Sequence, residues 1–510
     1  MEKTDGNCWQ RKIYILKGEC ADMGKQRKKN PQDWKTTKRE RRNYIIGDFG
    51  RYLEGAIVTS MMSTFLIFQG IDLTAIAGVM LVVKIIDAFD DVIFGYLIDK
   101  INITRVTAFK KVTGNGKYLP WYRLTFAFFP LFTALFFCMP NGISQGAKLI
   151  WFIVFYLLYD LTYTMVEVPM NSMIVTLTDN QDERNSILQS KSILNTLGYI
   201  GAGIVWMACI SEYVGFSIRN VALVSSVIFF IMMLPLVGGV KEHNSELKNV
   251  DPEEKEKYTL KDMWNCVKTN KYLMLLMLST VITQCLATGG AVGTLISYYM
   301  FGSSMVLVIP IAIAFIPQLI AQLQTRRACS KFGKLRVLLV TGTIGALIQL
   351  SIYFVGPKFW WCCALLVLQA PFGNMSLIAK SFFLPDTVEY TRYKTGKDCT
   401  GICNAISSFV TKLTSSVSSS LGLFILGLSG YIPVETESFE GLKAAGVVQP
   451  QSALDCMWAI YALIPLIGTL FGVLIMACYK LKDKDAELMA KCNAGEITRE
   501  ECEKSLSREY

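Results

Sequence analysis

Histidine is almost absent from this 510-residue chain, and two motifs that support enzyme chemistry are missing. His243 is the single histidine, so a histidine-based metal site or acid–base relay is excluded. The chain has no G-x-x-x-x-G-K-[ST] loop to cradle the phosphates of ATP and no H-E-x-x-H pair to bind zinc. We therefore expect a protein that is not an enzyme and that needs no cofactor.

Other absences narrow the class of protein further. The 15 cysteines are scattered and form no C-x-x-C pair, so neither a disulfide framework nor a zinc site is expected. The net charge of +10 is collected in separate connecting segments, and this distribution argues against a nucleic-acid partner. The first 43 residues lack an apolar segment, so no cleaved signal peptide is expected.

Apolar residues dominate what is present. They make up 52% of the chain, the mean hydropathy is +0.37, and apolar runs of membrane-spanning length recur. We predict an all-α membrane protein with about twelve transmembrane helices, numbered here as spans 1 to 12. They are centred within residues 46–70, 73–99, 121–140, 148–176, 191–211, 219–240, 272–297, 303–324, 335–356, 359–385, 403–430 and 454–479.

The charged residues between the spans predict the orientation. Lys and Arg gather in alternate connections, namely residues 39–42, 105–117, 241–271, 326–336 and 392–397. The connection 430–453 is acidic instead, with three Glu against one Lys. By the positive-inside rule both termini of this multi-pass protein lie in the cytoplasm, and we expect it in the plasma (inner) membrane.

A charged loop divides the spans into two sets of six. The predicted organisation is a polar basic leader at 1–43, a first half at 44–240, a middle loop at 241–270, a second half at 271–480 and a cytoplasmic tail at 481–510. Two six-helix halves flanking a hydrophilic loop indicate the major facilitator fold. In that fold the halves rock around a site near the bilayer midplane.

Span 2 carries four charged side chains, Lys84, Asp87, Asp90 and Asp91, in an otherwise apolar stretch. An ionised side chain at the bilayer centre costs about 2.5 to 3.5 kcal/mol, so the group must face a polar interior. Asp87 and Asp91 lie at i and i+4 on one helix face, where two carboxylates can hold one monovalent cation. In the alternative interpretation Lys84 merely neutralises one aspartate and joins helices.

Span 4 carries a second polar series. Asp160, Thr164, Glu167 and Asn171 follow the helical period, and Pro169 beside them frees backbone carbonyls toward a cavity. Thr164 can offer a neutral oxygen to a cation, and Glu167 can accept hydrogen bonds from substrate hydroxyls. A purely structural polar stripe is the alternative.

Three more spans place charge where a cavity would lie. Arg51 and Tyr52 are on span 1, Lys191 begins span 5, and Lys412 is alone on span 11. Lys412 requires an acid, which Glu167 or the span 2 group would provide, and such a pair would switch when the halves rock. Lys191 either reaches the cavity or extends to the cytoplasmic interface.

Four short segments carry a resemblance to a known family. They are Lys84-x-x-Asp87-x-x-Asp90-Asp91 with Gly95, Gly116-Lys117-Tyr-Leu-Pro120-Trp121, Thr162-Tyr-Thr164-x-x-Glu167-x-Pro169, and Asp386-Thr-Val-Glu389-Tyr390. With these segments the chain resembles, over roughly residues 44–480, the glycoside-pentoside-hexuronide:cation symporters. These are the melibiose permease-like branch of the major facilitator superfamily.

The resemblance implies a coupling cation, Na⁺, Li⁺ or H⁺, held by Asp87, Asp91 and Thr164. Asp90 replaces an asparagine of the family pattern and adds an acid to this cation site. The resemblance also implies that the flow of the cation drives the movement of a sugar or glycoside.

For the substrate, the resemblance implies Glu167 and Lys412, with Lys191 in place of an arginine and Ser408 in place of a threonine. Three positions depart from the family pattern: Tyr52 replaces an aspartate, and Asn171 and Leu377 replace tryptophans. With Arg51 included, cations outnumber acids, which suits an anionic sugar such as a hexuronide or its glycoside. The expected charge partners or gate residues are Lys84, Asp160, Asp386 and Glu389.

We therefore predict a secondary active transporter that works by alternating access as a functional monomer, with a small-molecule substrate and the lipid bilayer as its partners. Two alternatives are open. One is a cation-coupled carrier of an amphipathic lysolipid-like substrate, which would need an apolar cavity with lateral openings. The other is a non-transporting membrane sensor that signals through its leader and tail.

Overall fold

The structure is a computed structural model that describes residues 34–100, 116–178, 180–243, 268, 270–396 and 400–508. Residues 88–93, 95–100, 181, 401 and 405 are described by their backbone only. Most of the leader and of the middle loop, together with the side chains of Asp90 and Asp91, therefore lies outside the described residues.

The described residues form helices joined by loops and turns. Spans 1 to 6 are the helices Lys38–Phe68, Leu73–Lys100, Leu119–Thr125 with Phe128–Phe137, Gln145–Leu177, Gln181–Ile210 and Ile218–Gly239. Spans 7 to 12 are Lys271–Cys285 with Gly289–Phe301, Val308–Phe332, Lys334–Val355, Phe359–Ser381 with Phe383–Thr395, Thr400–Leu428, and Gln451–Trp458 continued by Ala459–Leu463 and Ile464–Ala477. Three short helices complete the list: Phe439–Ala445, Asp483–Asn493 and Arg499–Ser505.

Nine of the helical segments in the described ranges are long and apolar enough to cross a membrane. The other three predicted spans are spans 1 to 3. Charged residues lower the hydropathy of span 1, much of span 2 is described by its backbone only, and span 3 is divided between Thr125 and Phe128. The all-α prediction is confirmed for the described residues.

Polar side chains and a glycine determine where several helices begin and end. Thr37 and Glu40 form a capping box at the start of span 1, and the Ser144 hydroxyl accepts the N–H of Ala147 at the start of span 4. Spans 8 and 9 are separated by one residue, Gly333, whose φ of 90° favours glycine.

The packing of the helices places span 2 at the boundary between the halves. Span 1 packs on spans 5 and 6, and span 2 packs both on span 4 and on span 11 of the other half. In the second half, span 7 packs on spans 11 and 12, and span 10 packs on spans 8 and 9. The charged stretch of span 2 therefore lies where the halves meet.

The loop between spans 11 and 12 joins the two halves at the end of the bundle opposite the described termini, here called the distal end. The backbone N–H of Thr436 donates to the Phe68 carbonyl, 2.8 Å away. The ring of Phe439 meets the ring of Phe68 edge-on, with 5.0 Å between centroids. The distal end is thus held closed by backbone and apolar contacts.

An ion pair strengthens this closure. Lys148 Nζ, at the start of span 4, lies 2.7 Å from Glu435 Oε1 and donates to the Gln69 carbonyl at 2.8 Å. The Lys148 side chain is 4% exposed, whereas that of Glu435 is 49% exposed. The hydrogen bond from Lys148 holds the pKa of Glu435 below its ordinary value of 4.5.

We predict that Lys148→Met increases the population in which the distal end is open. The substitution removes a charge-assisted hydrogen bond to a half-exposed acid, which is worth about 1 to 2 kcal/mol, or a factor of roughly 5 to 30. Distances between spin labels on the distal ends of spans 4 and 11 measure this population.

The matched control is Lys443→Met, which removes an exposed lysine from the same distal loop and is expected to leave the distances unchanged. Because the Glu435 pKa is lowered in the closed state, the pair stabilises closure above pH 4.5 and is lost as the pH falls through the lowered value. Equal distances in Lys148→Met and Lys443→Met would refute the role of the pair.

Candidate functional site

Four charged side chains join spans 1, 4 and 5 inside the first half; we call Asp48, Arg51, Glu167 and Lys191 the Asp48 cluster. Arg51 Nη2 lies 3.2 Å from Asp48 Oδ1, and Arg51 Nη1 lies 3.0 Å from Glu167 Oε1. Lys191 Nζ lies 3.0 Å from the same Asp48 oxygen. Two carboxylates thus balance two cations within one group.

Burial differs among these side chains. Asp48 is 0% exposed and Arg51 3%, whereas Glu167 is 28% exposed. Asn195 completes the shell of Asp48 by donating from Nδ2 to Oδ2 at 2.9 Å. Asp48 is therefore the enclosed centre of the cluster, and Glu167 is its accessible acid.

Other predicted substrate residues surround the cluster. Lys191 reaches inward and donates to Asn171 Oδ1 at 2.9 Å, in addition to its pair with Asp48. The Arg51 guanidinium lies 5.8 Å from the centroid of the Tyr163 ring. Tyr52 meets Tyr199 edge-on, with 6.4 Å between ring centroids. The surroundings of Glu167 thus combine amide, charged and aromatic groups.

A second group, which we call the Lys84 cluster, brings together spans 2, 4 and 11: Lys84, Asp87, Tyr156, Asp160 and Lys412. The Tyr156 hydroxyl donates to Asp87 Oδ2 at 3.5 Å, and Lys84 Nζ lies 5.8 Å from the Tyr156 ring centroid. Lys84 is within electrostatic range of Asp87, Asp160 and Lys412. Span 11 therefore contributes its lysine to the charged stretch of span 2.

Span 4 belongs to both clusters. Asp160 lies in the Lys84 cluster and Glu167 in the Asp48 cluster, two turns further along the same helix. At a rise of about 1.5 Å per residue, these two backbone positions are separated by roughly 10 Å along the helix axis. Thr164, 1% exposed, lies between them. One helix thus connects the two groups of charges.

The remaining predicted residues lie elsewhere or beyond the described side chains. Asp90 and Asp91 belong to the stretch of span 2 described by its backbone only, so Asp87 is the described carboxylate of the predicted cation pair. Ser408 on span 11 is exposed, and Leu377 on span 10 is 63% exposed.

Asp386 and Glu389 lie at the end of the bundle near the termini. Both Asp386 oxygens accept Lys334 Nζ at 2.7 Å. Glu389 Oε2 accepts Asn493 Nδ2 from the tail helix at 2.7 Å. These two acids tie span 10 to span 9 and to the tail, so their described contacts are within the second half and its tail.

Three residues in or beside these clusters had no predicted role, although the spacing of each one offered a signal. Asp48 precedes Arg51 by three residues, Asn195 follows Lys191 by four, and Tyr156 precedes Asp160 by four. Residues three or four apart share a helix face. The span 4 series therefore extends one turn further toward the distal end than predicted.

Comparison with known proteins decides the family. The family model described as MFS/sugar transport protein matches residues 43–483. The chain belongs to this family. It is similar to an isoprimeverose transporter of Lactiplantibacillus pentosus, at 24% identity over 88% of this chain and 90% of that protein. It is also similar to a glucuronide carrier protein homolog of Escherichia coli (strain K12), at 23% identity over 86% of this chain and 92% of the relative.

Solved structures agree on the fold of this family member. The nucleoside transporter NupG matches with a TM-score of 0.56 at 14% identity, over 87% of this chain and 100% of that chain. A bacterial homolog of the human lysosomal transporter Spinster matches with a TM-score of 0.59 at 13% identity, over 87% of this chain and 97% of the other. The predictions of a glycoside-pentoside-hexuronide symporter-like transporter with a major facilitator fold, and of a protein that is not an enzyme, are confirmed.

We predict that Asp48→Asn destabilises the transporter and that adding Lys191→Met restores part of the loss. Removing one partner of a buried ion pair leaves a buried charge uncompensated, at a cost of about 3 to 5 kcal/mol. The double variant removes one acid and one base together. The free energies of unfolding of the detergent-purified single and double variants are measured. The difference between the double variant and the sum of the single variants gives the coupling energy between the two sites.

Strictly additive destabilisation would mean that Asp48 and Lys191 do not interact. Asn195→Ala is the control for the neutral hydrogen bond to Asp48, and a cost of about 1 kcal/mol is expected for it.

Proposed function

We propose that this transporter couples the inward flow of a monovalent cation, Na⁺, Li⁺ or H⁺, to the uptake of a sugar or glycoside, including an anionic one. The relatives whose names specify isoprimeverose and glucuronide support this substrate class. The observation that carries the proposal is the shared span 4, which contributes Asp160 to the Lys84 cluster and Glu167 to the Asp48 cluster.

The Lys84 cluster is the proposed coupling site. Carboxylate oxygens suit hard monovalent cations, and Asp87 is held by Tyr156 from span 4. Together with Asp91 and Thr164, Asp87 would hold the cation, with Asp90 as an additional acid. A bound cation would compete with Lys84 for Asp87 and so alter the contacts between spans 2, 4 and 11.

The surroundings of Glu167 are the proposed sugar site. Glu167 retains exposed surface while it is oriented by Arg51, so its carboxylate can accept hydrogen bonds from sugar hydroxyls. Asn171, Ser408 and Lys191 would add polar contacts, and the Tyr52 ring would offer an aromatic surface. Reordering of span 4 by the cation would then change sugar affinity through a reciprocal coupling free energy.

The orientation in the membrane is inferred from the distribution of Lys and Arg between the spans. We place the transporter in the plasma (inner) membrane as a functional monomer, with both termini in the cytoplasm and the distal end facing outside. The described closure at the distal end, through Thr436 and the Lys148–Glu435 pair, then corresponds to a state that is shut to the exterior. Alternating access would require these contacts to break.

We expect Asp87→Asn to abolish the accumulation of glycoside driven by a cation gradient, because the substitution removes a charged oxygen from the coupling site. The measurement is uptake into proteoliposomes under an inward gradient of Na⁺, Li⁺ or H⁺. Asp455→Asn, an exposed aspartate at the distal end of span 12, is the matched control and should accumulate substrate normally.

Substrate exchange without a gradient separates loss of coupling from loss of the sugar site, and Asp87→Asn should retain it. Concentrative uptake that survives Asp87→Asn would refute the coupling assignment. A wild-type protein that carries a lysolipid and no glycoside would refute the sugar proposal.

A further inference from the structure

A cavity of about 420 Å³ lies inside the second half, among spans 7, 9, 10, 11 and 12, and both apolar and polar side chains line it. Lys380 of span 10 is the one charged residue among the side chains that line it, and no Asp or Glu lines it. Its polar walls include Thr280, Gln284, Ser376 and Ser407. The cavity therefore has a positive charge that no lining acid offsets.

Several hydrogen-bond donors that line this cavity are available to a ligand. Lys380 Nζ, the Ser376 and Ser407 hydroxyls and the Gln284 amide N–H groups donate no hydrogen bond in the part of the chain that the structure describes. Gln284 is oriented through its other end, because the Thr414 hydroxyl donates to Gln284 Oε1 at 2.7 Å. Ser376 precedes Lys380 by one turn, so both belong to the same face of span 10.

Two cations of the first half, Arg51 and Lys191, differ from Lys380 because each forms an ion pair with a carboxylate. Arg51 pairs with Asp48 and Glu167, and Lys191 pairs with Asp48. These cations already have carboxylate partners, so an incoming anion would have to displace an internal acid there. A substrate anion has no such competitor in the cavity of the second half.

We propose that Lys380 is the specificity-determining residue for the acidic group of an anionic sugar, with Ser376, Ser407 and Gln284 as supporting donors. The proposal rests on the proposed function and assigns charge recognition to the second half. A carboxylate or sulfonate has only acceptor oxygens, which matches the ammonium, the two hydroxyls and the amide that line this one cavity. Hydrogen bonds from an ammonium to a carboxylate are charge-assisted.

The position of Leu377 is consistent with charge recognition in the second half. Leu377 lies one turn before Lys380 on span 10, lines the same cavity and is 63% exposed. The neutral part of the substrate would extend from this cavity toward Glu167 in the first half.

The experiment compares two glycosides that differ in one group, 4-nitrophenyl glucuronide and 4-nitrophenyl glucoside, in proteoliposome uptake by the full-length protein. Lys380→Met is expected to raise the apparent KM for the glucuronide at least tenfold and to leave the glucoside within twofold. Lys380→Arg should retain the preference for the glucuronide. Lys358→Met, an exposed lysine at the other end of the same helix, is the matched control and should behave as wild type.

Uptake of the glucoside shows that each variant is folded and active. If Lys380→Met affects the two glycosides equally, or neither of them, or if the wild type prefers the glucoside, the Lys380 assignment is refuted while sugar transport stands. A wild-type protein that takes up neither glycoside under any of the three cation gradients refutes the proposed function itself, and the Lys380 assignment falls with it.

Discussion

The cost of placing ionised side chains in a low-dielectric interior is the constraint on which this structure depends. Asp48 is completely buried, and it is tolerated because Arg51, Lys191 and Asn195 surround it. Those partners come from spans 1 and 5, and Arg51 extends the network to Glu167 on span 4. Satisfying one buried carboxylate therefore fixes three helices of the first half relative to one another.

The same constraint connects the parts of the proposed mechanism. Span 4 carries an acid in each cluster, so a change in charge at Asp87 alters the electrostatic balance on a helix that also orients Glu167. The contact between spans 2 and 11 brings Lys412 of the second half to the Lys84 cluster. At the distal end, Lys148 and Glu435 link the halves again. Charge pairing thus occurs both at the proposed coupling site and at the contact that would have to break in the proposed mechanism.

Much of the fold and part of the candidate site could be predicted from the sequence. Long apolar runs predicted the helices, because burial of the backbone in lipid leaves few alternatives. The helical spacing of Asp160, Thr164 and Glu167 indicated a polar face within one helix. The pairing of Asp48 with Lys191 could not be predicted, since it joins spans 1 and 5 and depends on their packing. Lys380 could not be singled out either, because one lysine near the end of a span has no periodic pattern.

Reciprocal binding measurements test the proposed coupling between the cation and the glycoside. Binding of a glycoside to the purified protein should be measured at increasing Na⁺, Li⁺ or H⁺, and binding of the effective cation should be measured with and without the glycoside. If the two sites are coupled as proposed, one cation raises glycoside affinity and the glycoside raises cation affinity by the same factor, typically 5- to 150-fold for such couplings. Glycoside affinity that is independent of all three cations would contradict it.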